Sequence, residues 1–418
     1  MVKRTTEVQT NNSTMSVLNG KKILLGVSGG IAAYKTASLV RLFIKAGAHV
    51  QVIMTPASKD FVTPLTLSTL SKNPVHSSFF NEEDDNSQWN NHVELALWAD
   101  FMLIAPATAN TLSKMTNGNC DNLLIATYLS AKCPVYFAPA MDLDMYKHPS
   151  IKASFEALKQ YKNVMIPAET GELASGLSGE GRMAEPENII AFLEADLESK
   201  LPLKGKKILI TAGPTYEAID PVRFIGNHSS GKMGFDIANE AANLGASVVL
   251  VAGPTHFKVK NSTIEVINVV SAQEMYDACH LHFNSVDVAI AAAAVADYKP
   301  KVVAAQKIKK APDTFVIELE KTKDILLSLG AIKKKQFLIG FALETENEIE
   351  NAKLKIQKKN LDLIVLNSLQ DKGAGFQTST NKVTFIDKSF QIEAMQLKAK
   401  ESVAVDILNK VISHFYEK

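Results

Sequence analysis

The chain has 418 residues, 46% of them hydrophobic and 21% charged, with a formal net charge of +1. This is an ordinary globular composition, long enough for about two or three domains, and its charge balance gives no whole-chain case for nucleic acid. Three scattered cysteines (Cys120, Cys133 and Cys279) are too few for a disulfide framework or a zinc site, and the most apolar run, Val288 to Ala296, falls well short of the ~20 residues a membrane helix needs.

Residues 1–19 are polar and lack the apolar centre of a signal peptide. A disordered tail in a cytoplasmic, reducing setting is expected. The ordered part opens with Gly20-Lys21-Lys22-Ile23-Leu24, a phrase that returns at Gly205-Lys206-Lys207-Ile208-Leu209. Each copy begins an apolar run that breaks into a Gly-containing loop and then a helix. The sequence therefore predicts two consecutive α/β domains, each a doubly wound parallel sheet of the Rossmann-like type, over residues 20–199 and 200–418.

In the first half, strands are expected at 23–27, 50–54, 101–105 and 135–138. Ile31, Tyr34, Val40, Phe43 and Ile44 form one apolar face at helical spacing. Further helices are expected over 92–98 and 122–130, and the Gly- and Ser-rich stretch 170–182 reads as a flexible, lid-like loop. Ser28-Gly29-Gly30 follows a strand and opens a helix, which suits a phosphate on a helix N-terminus. It lacks the GxGxxG fingerprint of a dinucleotide site, and a tight strand–helix turn explains it equally well. Two small-residue loops, Ala105 to Asn110 and Ala138 to Tyr146, fall at strand C-terminal ends. They could receive a flat ring or be plain strand–helix connections. His92 begins a helix; surface or cap positions are usual there, but a side chain that titrates near neutral pH is also an acid–base candidate.

In the second half, strands are expected at 208–210, 248–251, 266–269, 288–293, 315–319, 338–342 and 363–365, with a late hairpin strand at 383–386. Helices are expected near 233–244, 272–283, 324–332 and 348–359. The run from Lys206 to Ala238 reads as strand, polar loop, helix. Its Asn227-His228-Ser229-Ser230-Gly231 supplies an amide, hydroxyls and backbone N–H groups for a phosphate-bearing ligand, although helix capping alone would also use them. Lys307 and Lys309 alternate onto one side of an extended segment. Lys355 and Lys359 are i,i+4 neighbours on a helix, whereas Lys333 to Lys335 read as a solvated run.

Together GVSGGIAAYK, HVELALWAD, APATAN, PAMDLDMY and GEGRM resemble the flavin-dependent cysteine decarboxylases. From about Lys21 onward, in order and spacing, the chain resembles the family of bacterial bifunctional coenzyme A biosynthesis proteins. These join a phosphopantothenoylcysteine decarboxylase to a phosphopantothenate–cysteine ligase. The resemblance implies FMN in the first half, with its phosphate near Ser28, Gly29 and Gly30 and its ring near Thr55, Ala107, Thr108 and Asn110. It makes His92 the catalytic histidine. It implies oxidation of the substrate thiol to a thioaldehyde, loss of CO2, then reduction and protonation of the enethiolate. It also implies a flavin site between subunits, hence a homo-oligomer built on trimers, with ligase-domain dimers as an option.

Two positions depart from that pattern. Asp142 stands where the family has an Asn that binds the substrate carboxylate; an ionised Asp would repel it, while a protonated one could donate a hydrogen bond. Ser175 stands where the family has a proton-donating lid cysteine, and a serine is a far weaker acid than a thiol of pKa ~8.5. Cys120, near the strand-edge loops, is a candidate stand-in.

In the second half the resemblance assigns Arg223 and Asn227 to phosphopantothenate and its acyl-nucleotide intermediate. It assigns Ala291, Ala292, Ala293 and Asp297 to a nucleotide-binding strand end, and Lys307 to catalysis. Lys323, Asp324, Ile325, Leu326, Phe341, Lys355 and Lys359 match further nucleotide contacts, with Thr322-Lys323 in place of a usual Asn-Pro. The implied substrates are 4′-phosphopantothenate, cysteine and CTP, with no nucleic acid and no membrane partner. The carboxylate would attack the α-phosphate, giving an acyl-cytidylate and pyrophosphate, with Mg2+ on the phosphate oxygens; no metal ligand is identified. The cysteine amine would then displace CMP, and decarboxylation would yield 4′-phosphopantetheine. Two alternatives keep the ligase but make the first half an oxidative-only decarboxylase, or a flavin-binding regulatory or scaffolding module.

Overall fold

The computed structural model describes residues 16–80, 89–172, 176–309, 316–344, 346–368 and 379–416. Ser175, one of the two departures noted above, lies outside them. The chain divides after Ser199 into two compact units.

The first unit runs β1 (Lys22–Val27), α1 (Thr36–Lys45), β2 (His49–Met54), α2 (Pro64–Ser71), β3 (Val75–His76), α3 (His92–Trp98), β4 (Phe101–Ala107), α4 (Ala109–Asn117), α5 (Leu123–Ser130) and β5 (Val135–Pro139). It continues with α6 (Leu143–Lys147), α7 (Pro149–Gln160), β6 (Val164–Met165), β7 (Glu169–Glu172), β8 (Ser178–Arg182) and α8 (Pro186–Ser199). The sheet order is β3-β2-β1-β4-β5-β6, all parallel. Such a sheet is covered on both faces, so its strands read as unbroken apolar runs; every residue of β4 is buried. One core packs under α1 and α8, with Leu39, Phe43 and Leu193 against Leu25 and Leu103. The other gathers Leu95, Leu124, Ile125 and Phe155 against Leu24, Ile104 and Phe137. The strand order reverses between β1 and β4, where doubly wound folds open a crevice at the C-terminal strand ends.

The second unit repeats the plan: β9 (Lys207–Ala212), β10 (Tyr216–Ala218), β11 (Phe224–Gly226), α9 (Lys232–Asn243), β12 (Ser247–Ala252), β13 (Glu265–Asn268), α10 (Ala272–Phe283), β14 (Val288–Ala291), β15 (Tyr298–Pro300) and β16 (Leu319–Lys321). Then come α11 (Ile325–Ile332), β17 (Phe337–Glu344), α12 (Glu348–Lys359), β18 (Leu363–Ser368), β19 (Thr380–Asn381), β20 (Val383–Asp387), β21 (Ile392–Ala394), β22 (Lys398–Ala399) and α13 (Lys400–Tyr416). Its sheet order is β13-β12-β9-β14-β17-β18-β20-β21, parallel except for the antiparallel β20 and β21. The order reverses between β9 and β14. A full capping box at Ser271 and Glu274 starts α10, which is why its limits are so legible in the sequence.

Four sequence expectations change. Residues 170–182 are not a structureless loop: β7 and β8 pair antiparallel as a hairpin, although the tip lies outside the described residues. Glycines there serve close approach rather than looseness; a Cβ on Gly179 would meet the Leu143 side chain at 2.4 Å. The apolar face from Ile31 to Ile44 splits, because Ile31 and Tyr34 are 60% and 58% exposed while Val40 and Phe43 are buried. The polar loop after β9 contains the β10–β11 hairpin. The strand expected at 315–319 is instead the short β16, paired with β15 outside the main sheet, and Phe315 lies outside the described residues.

Candidate functional site

In the first unit a cavity of about 980 Å³ opens at the C-terminal edge of the sheet. Each strand there hands over to a wall residue: β1 to Gly29 and Gly30, β2 to Thr55, β4 to Thr108 and Asn110, and β5 to Asp142. Ile31 and Tyr34 also line it, which explains their exposure. Ser28 and Ala107 are buried behind this wall. The Ser28 hydroxyl donates to Pro106 O at 2.7 Å and accepts from Thr108 N at 3.2 Å, so it ties β1 to β4. Gly29 and Gly30 let neighbours crowd in: a Cβ would meet Ala57 at 2.8 Å and Thr108 at 3.1 Å, respectively. The Thr55 hydroxyl is buried with no hydrogen-bond partner among the described residues. An orphaned buried hydroxyl costs about 1–3 kcal/mol, so this wall is built to be completed by a ligand. Small residues, an unspent hydroxyl and free backbone at strand ends fit a flat heteroaromatic group that carries a phosphate.

His92 is not on that wall. It starts α3 behind its N-cap Asn91, which accepts from Val93 N at 3.0 Å. Its ring stands edge-on to Trp89 and Phe79, with centroids 5.7 and 6.2 Å away, and its Nδ1 is buried without a hydrogen-bond partner among the described residues. Cys120 is exposed and directly precedes the wall residues Asp121 and Asn122.

A charged clasp at the cavity was not foreseen. The buried Lys35 Nζ donates to Met183 O at 2.8 Å and Glu185 Oε1 at 3.0 Å, and Arg182 Nη2 reaches the same carboxylate at 2.5 Å. Desolvation pushes the Glu185 carboxyl up, but Lys35 and Arg182 outweigh it and leave its pKa below the usual value. Lys114 and Asp121 pair at 2.6 Å, and that hydrogen bond lowers the Asp121 pKa. The only sequence signal for the clasp was a lysine beside an apolar helical face.

In the second unit a cavity of about 670 Å³ gathers Ala291, Ala292 and Ala293 after β14, with Asp297; Lys323, Asp324, Ile325 and Leu326 leading into α11; Phe341 on β17; and Lys355 and Lys359 on α12. Side chains beneath hold the backbone in place: Thr211 Oγ1 accepts from Ala293 N at 3.1 Å and Thr215 Oγ1 from Ala296 N at 3.0 Å. Thr322, in place of the usual Asn, donates to Ala296 O at 2.7 Å. Ser229, Ser230, Gly231 and Lys232 line the same cavity. Ser229 and Ser230 accept from Gly231 N at 3.3 Å and Lys232 N at 3.4 Å, but the N-cap of α9 is Gly231 and no side chain caps the helix, so capping does not account for the serines. Lys400, in α13, lines the cavity and is buried; desolvation, reinforced by Lys232, lowers its pKa.

Arg223, Asn227 and Lys307 do not line this cavity. Asn227 Nδ2 donates to Ala294 O at 3.0 Å. Arg223 Nη2 donates to Ile308 O at 3.1 Å, and buried Asp220 accepts from Ile308 N at 3.1 Å. That bonding fastens the Lys307 segment to the β10–β11 turn and leaves Lys307 exposed. Lys307 and Lys309 are described without regular strand structure, so the strict alternation expected of them is not formed. Among the described residues no group of three or more His, Cys, Asp or Glu side chains could hold a metal ion, and no helix is long and apolar enough to cross a membrane.

Comparison with known proteins agrees with this geometry. The flavoprotein family matches residues 11–198, and the DNA/pantothenate metabolism flavoprotein C-terminal domain matches residues 203–415. The chain is 43% identical over 397 residues to the coenzyme A biosynthesis bifunctional protein CoaBC of Bacillus subtilis (strain 168), covering 94% of this chain and 97% of that one. It is 45% identical over 401 residues to the protein of the same name from Vibrio parahaemolyticus serotype O3:K6, covering 95% and 99%. It is also 52% identical over 357 residues to a cysteine/cysteine sulfinic acid decarboxylase from an unknown prokaryotic organism, covering 84% and 99%. A solved C-terminal domain of a CoaBC protein is 45% identical, with a TM-score of 0.45, covering 52% of this chain and all of that one. With both family domains in order and these identities over nearly its full length, the chain belongs to the coenzyme A biosynthesis bifunctional protein family of flavoproteins.

Proposed function

We propose that the two cavities are the two active sites of a coenzyme A biosynthesis enzyme with ligase and decarboxylase activities. The second unit joins cysteine to 4′-phosphopantothenate with CTP, and the first decarboxylates the product to 4′-phosphopantetheine. The observation that carries this is the convergence of Ala291 to Ala293, Asp297, Lys323 to Leu326, Phe341, Lys355 and Lys359 on one cavity.

In the ligase, the alanines leave room for a base and ribose against backbone. Lys355 and Lys359 lie near carboxylates, 3.4 Å from Glu344 and 2.7 Å from Asp324, so their charge is positioned before a triphosphate arrives. Such fixed cations stabilise charge developing on phosphate oxygens. Lys307 and Arg223, tied together through Ile308, would meet the acyl phosphate, and Asn227 would orient the substrate. Mg2+ would enter with the nucleotide, since a triphosphate ordinarily brings it with few protein ligands.

In the decarboxylase, Gly29, Gly30, Thr55, Thr108 and Asn110 would hold FMN. When bound, FMN supplies the reversible two-electron oxidation of the substrate thiol that makes the carboxyl-bearing bond breakable. Arg182 and Lys35 fix the base of the β7–β8 hairpin, which would shield the substrate from water. His92, off its own wall, would serve the cavity of a second copy in a trimer-based homo-oligomer; exposed Val93 and Leu97 on α3 and Leu129 on α5 support such an interface. A cytoplasmic setting is part of the same proposal. A second reading, free cysteine as a substrate of the first unit, is favoured by the acid at Asp142 and supported by the relative named for cysteine decarboxylation.

One incubation with 4′-phosphopantothenate, cysteine and CTP, followed by mass analysis, tests the main reading. Phosphopantetheine is expected. Accumulated phosphopantothenoylcysteine would remove the decarboxylase assignment, and a product short of CO2 and two hydrogens would make the first unit oxidative only.

A further inference from the structure

We infer that Asp142 makes the first unit's cavity a receptor for the α-ammonium group of a free, cysteine-like amino acid; this rests on reading that cavity as a decarboxylase site. Asp142 follows β5 and sits half-buried on the cavity wall. Its Oδ1 accepts from Leu143 N at 2.6 Å. An asparagine oxygen would accept the same bond, so capping α6 does not call for the charge.

The charges around it are already spent on one another. Lys114 pairs with Asp121 at 2.6 Å, while Lys35 and Arg182 share Glu185 at 3.0 and 2.5 Å. These are the three basic side chains on the described wall. Asp142 has no ion-pair partner among the described residues. The adjacent backbone is fixed: Met141 N donates to Gly181 O at 3.0 Å, and a Cβ on Gly181 would lie 2.5 Å from Met141 O. Strand β8 therefore closes on the loop that carries Asp142, and a carboxylate held in such a corner gains most from a cation brought by the ligand.

The amide nitrogen of an acylated cysteine carries no charge, so it offers Asp142 only a neutral N–H donor beside a carboxylate that Asp142 repels. In free cysteine the ammonium is bonded to Cα and can pair with Asp142 while the carboxylate points away. In the net reaction the Cα–carboxylate bond breaks, its electron pair stays on Cα, CO2 leaves and a proton takes its place. The product is cysteamine, and no external oxidant or reductant is consumed.

The test uses the full chain loaded with FMN and measures CO2 release from L-cysteine and from phosphopantothenoylcysteine, in the wild type and in Asp142→Asn. Wild type is expected to act on L-cysteine. The isosteric variant is expected to lose about tenfold to a hundredfold in kcat/KM for L-cysteine, the range of one charge-assisted hydrogen bond, and to gain on the acylated substrate. Thermal shifts with cysteamine give a readout apart from turnover: stabilisation of the wild type is expected and should vanish in the variant. CO2 from the acylated substrate alone, or equal losses on both substrates, would overturn the ammonium assignment while leaving the decarboxylase reading intact. No CO2 from either substrate would remove both.

Discussion

Lys359 Nζ, in the last turn of α12, lies 2.7 Å from Oδ2 of Asp324, the N-cap of α11. Burial pushes the Asp324 carboxyl up, but Lys359 and the Leu327 N–H outweigh it, and its pKa lies below the ordinary carboxylate value. A depressed carboxyl stabilises the fold above the unfolded pKa of ~3.9 and loses that contribution as pH falls through the folded value. Asp324→Asn keeps the cap and loses the ion pair. It should lower stability by about 0.5 kcal/mol at neutral pH, since the pair is partly exposed, and the difference from wild type should close by about pH 3. Melting curves across pH check this. Lys359→Met should lower kcat/KM for CTP about tenfold or more, as expected for one lost phosphate contact.

Thr55→Val tests whether the orphaned hydroxyl belongs to the flavin. The substitution keeps the shape and removes a buried group that has no hydrogen-bond partner among the described residues. The flavin-free protein should be as stable as wild type or more so. FMN affinity should fall about tenfold, the value of one hydrogen bond of ~1.4 kcal/mol. Fluorescence titration against FMN and melting of the flavin-free protein separate the two effects.

Gly181→Ala probes the closure of β8 on the Met141–Asp142 loop. The residue has φ +141°, and a Cβ would meet Met141 O at 2.5 Å. Backbone, not a flexible side chain, must give way, at a cost of about 1–3 kcal/mol. CO2 release should fall sharply while the CTP-dependent ligation is unchanged, which assays of the two half-reactions would show.

Tyr146, in α6, is buried, and desolvation followed by Glu180 pushes its pKa up to about 12. A raised phenol pKa contributes stability that is complete below the unfolded value of ~10 and is lost as pH climbs through the folded value. Melting temperature should therefore fall from about pH 10 to pH 12. Tyr146→Phe should flatten part of that slope, and ultraviolet difference titration should lose one phenol that titrates near pH 12.

Local patterns and distant contacts divide this molecule cleanly. The limits of α3, α10 and α12 were legible because caps and 3.6-residue periodicity act within a few positions, and the buried runs of β1, β4, β9 and β17 were legible because a parallel sheet covered on both faces demands apolar residues throughout. Two doubly wound sheets followed from the alternation of those runs with helices. The sequence alone also marked the strand-end positions that line both cavities. Only tertiary structure decided that Ile31 and Tyr34 leave the core for a cavity wall, that Gly179 and Gly181 close a hairpin rather than loosen a loop, and that Lys35 meets Glu185 from 150 positions away. It also left Arg223, Asn227 and Lys307 off the wall of the second cavity. Periodicity reports which face of an element is apolar; which distant element meets that face, and which charges are already paired when a ligand arrives, is fixed only when the sheet order brings the strand ends together.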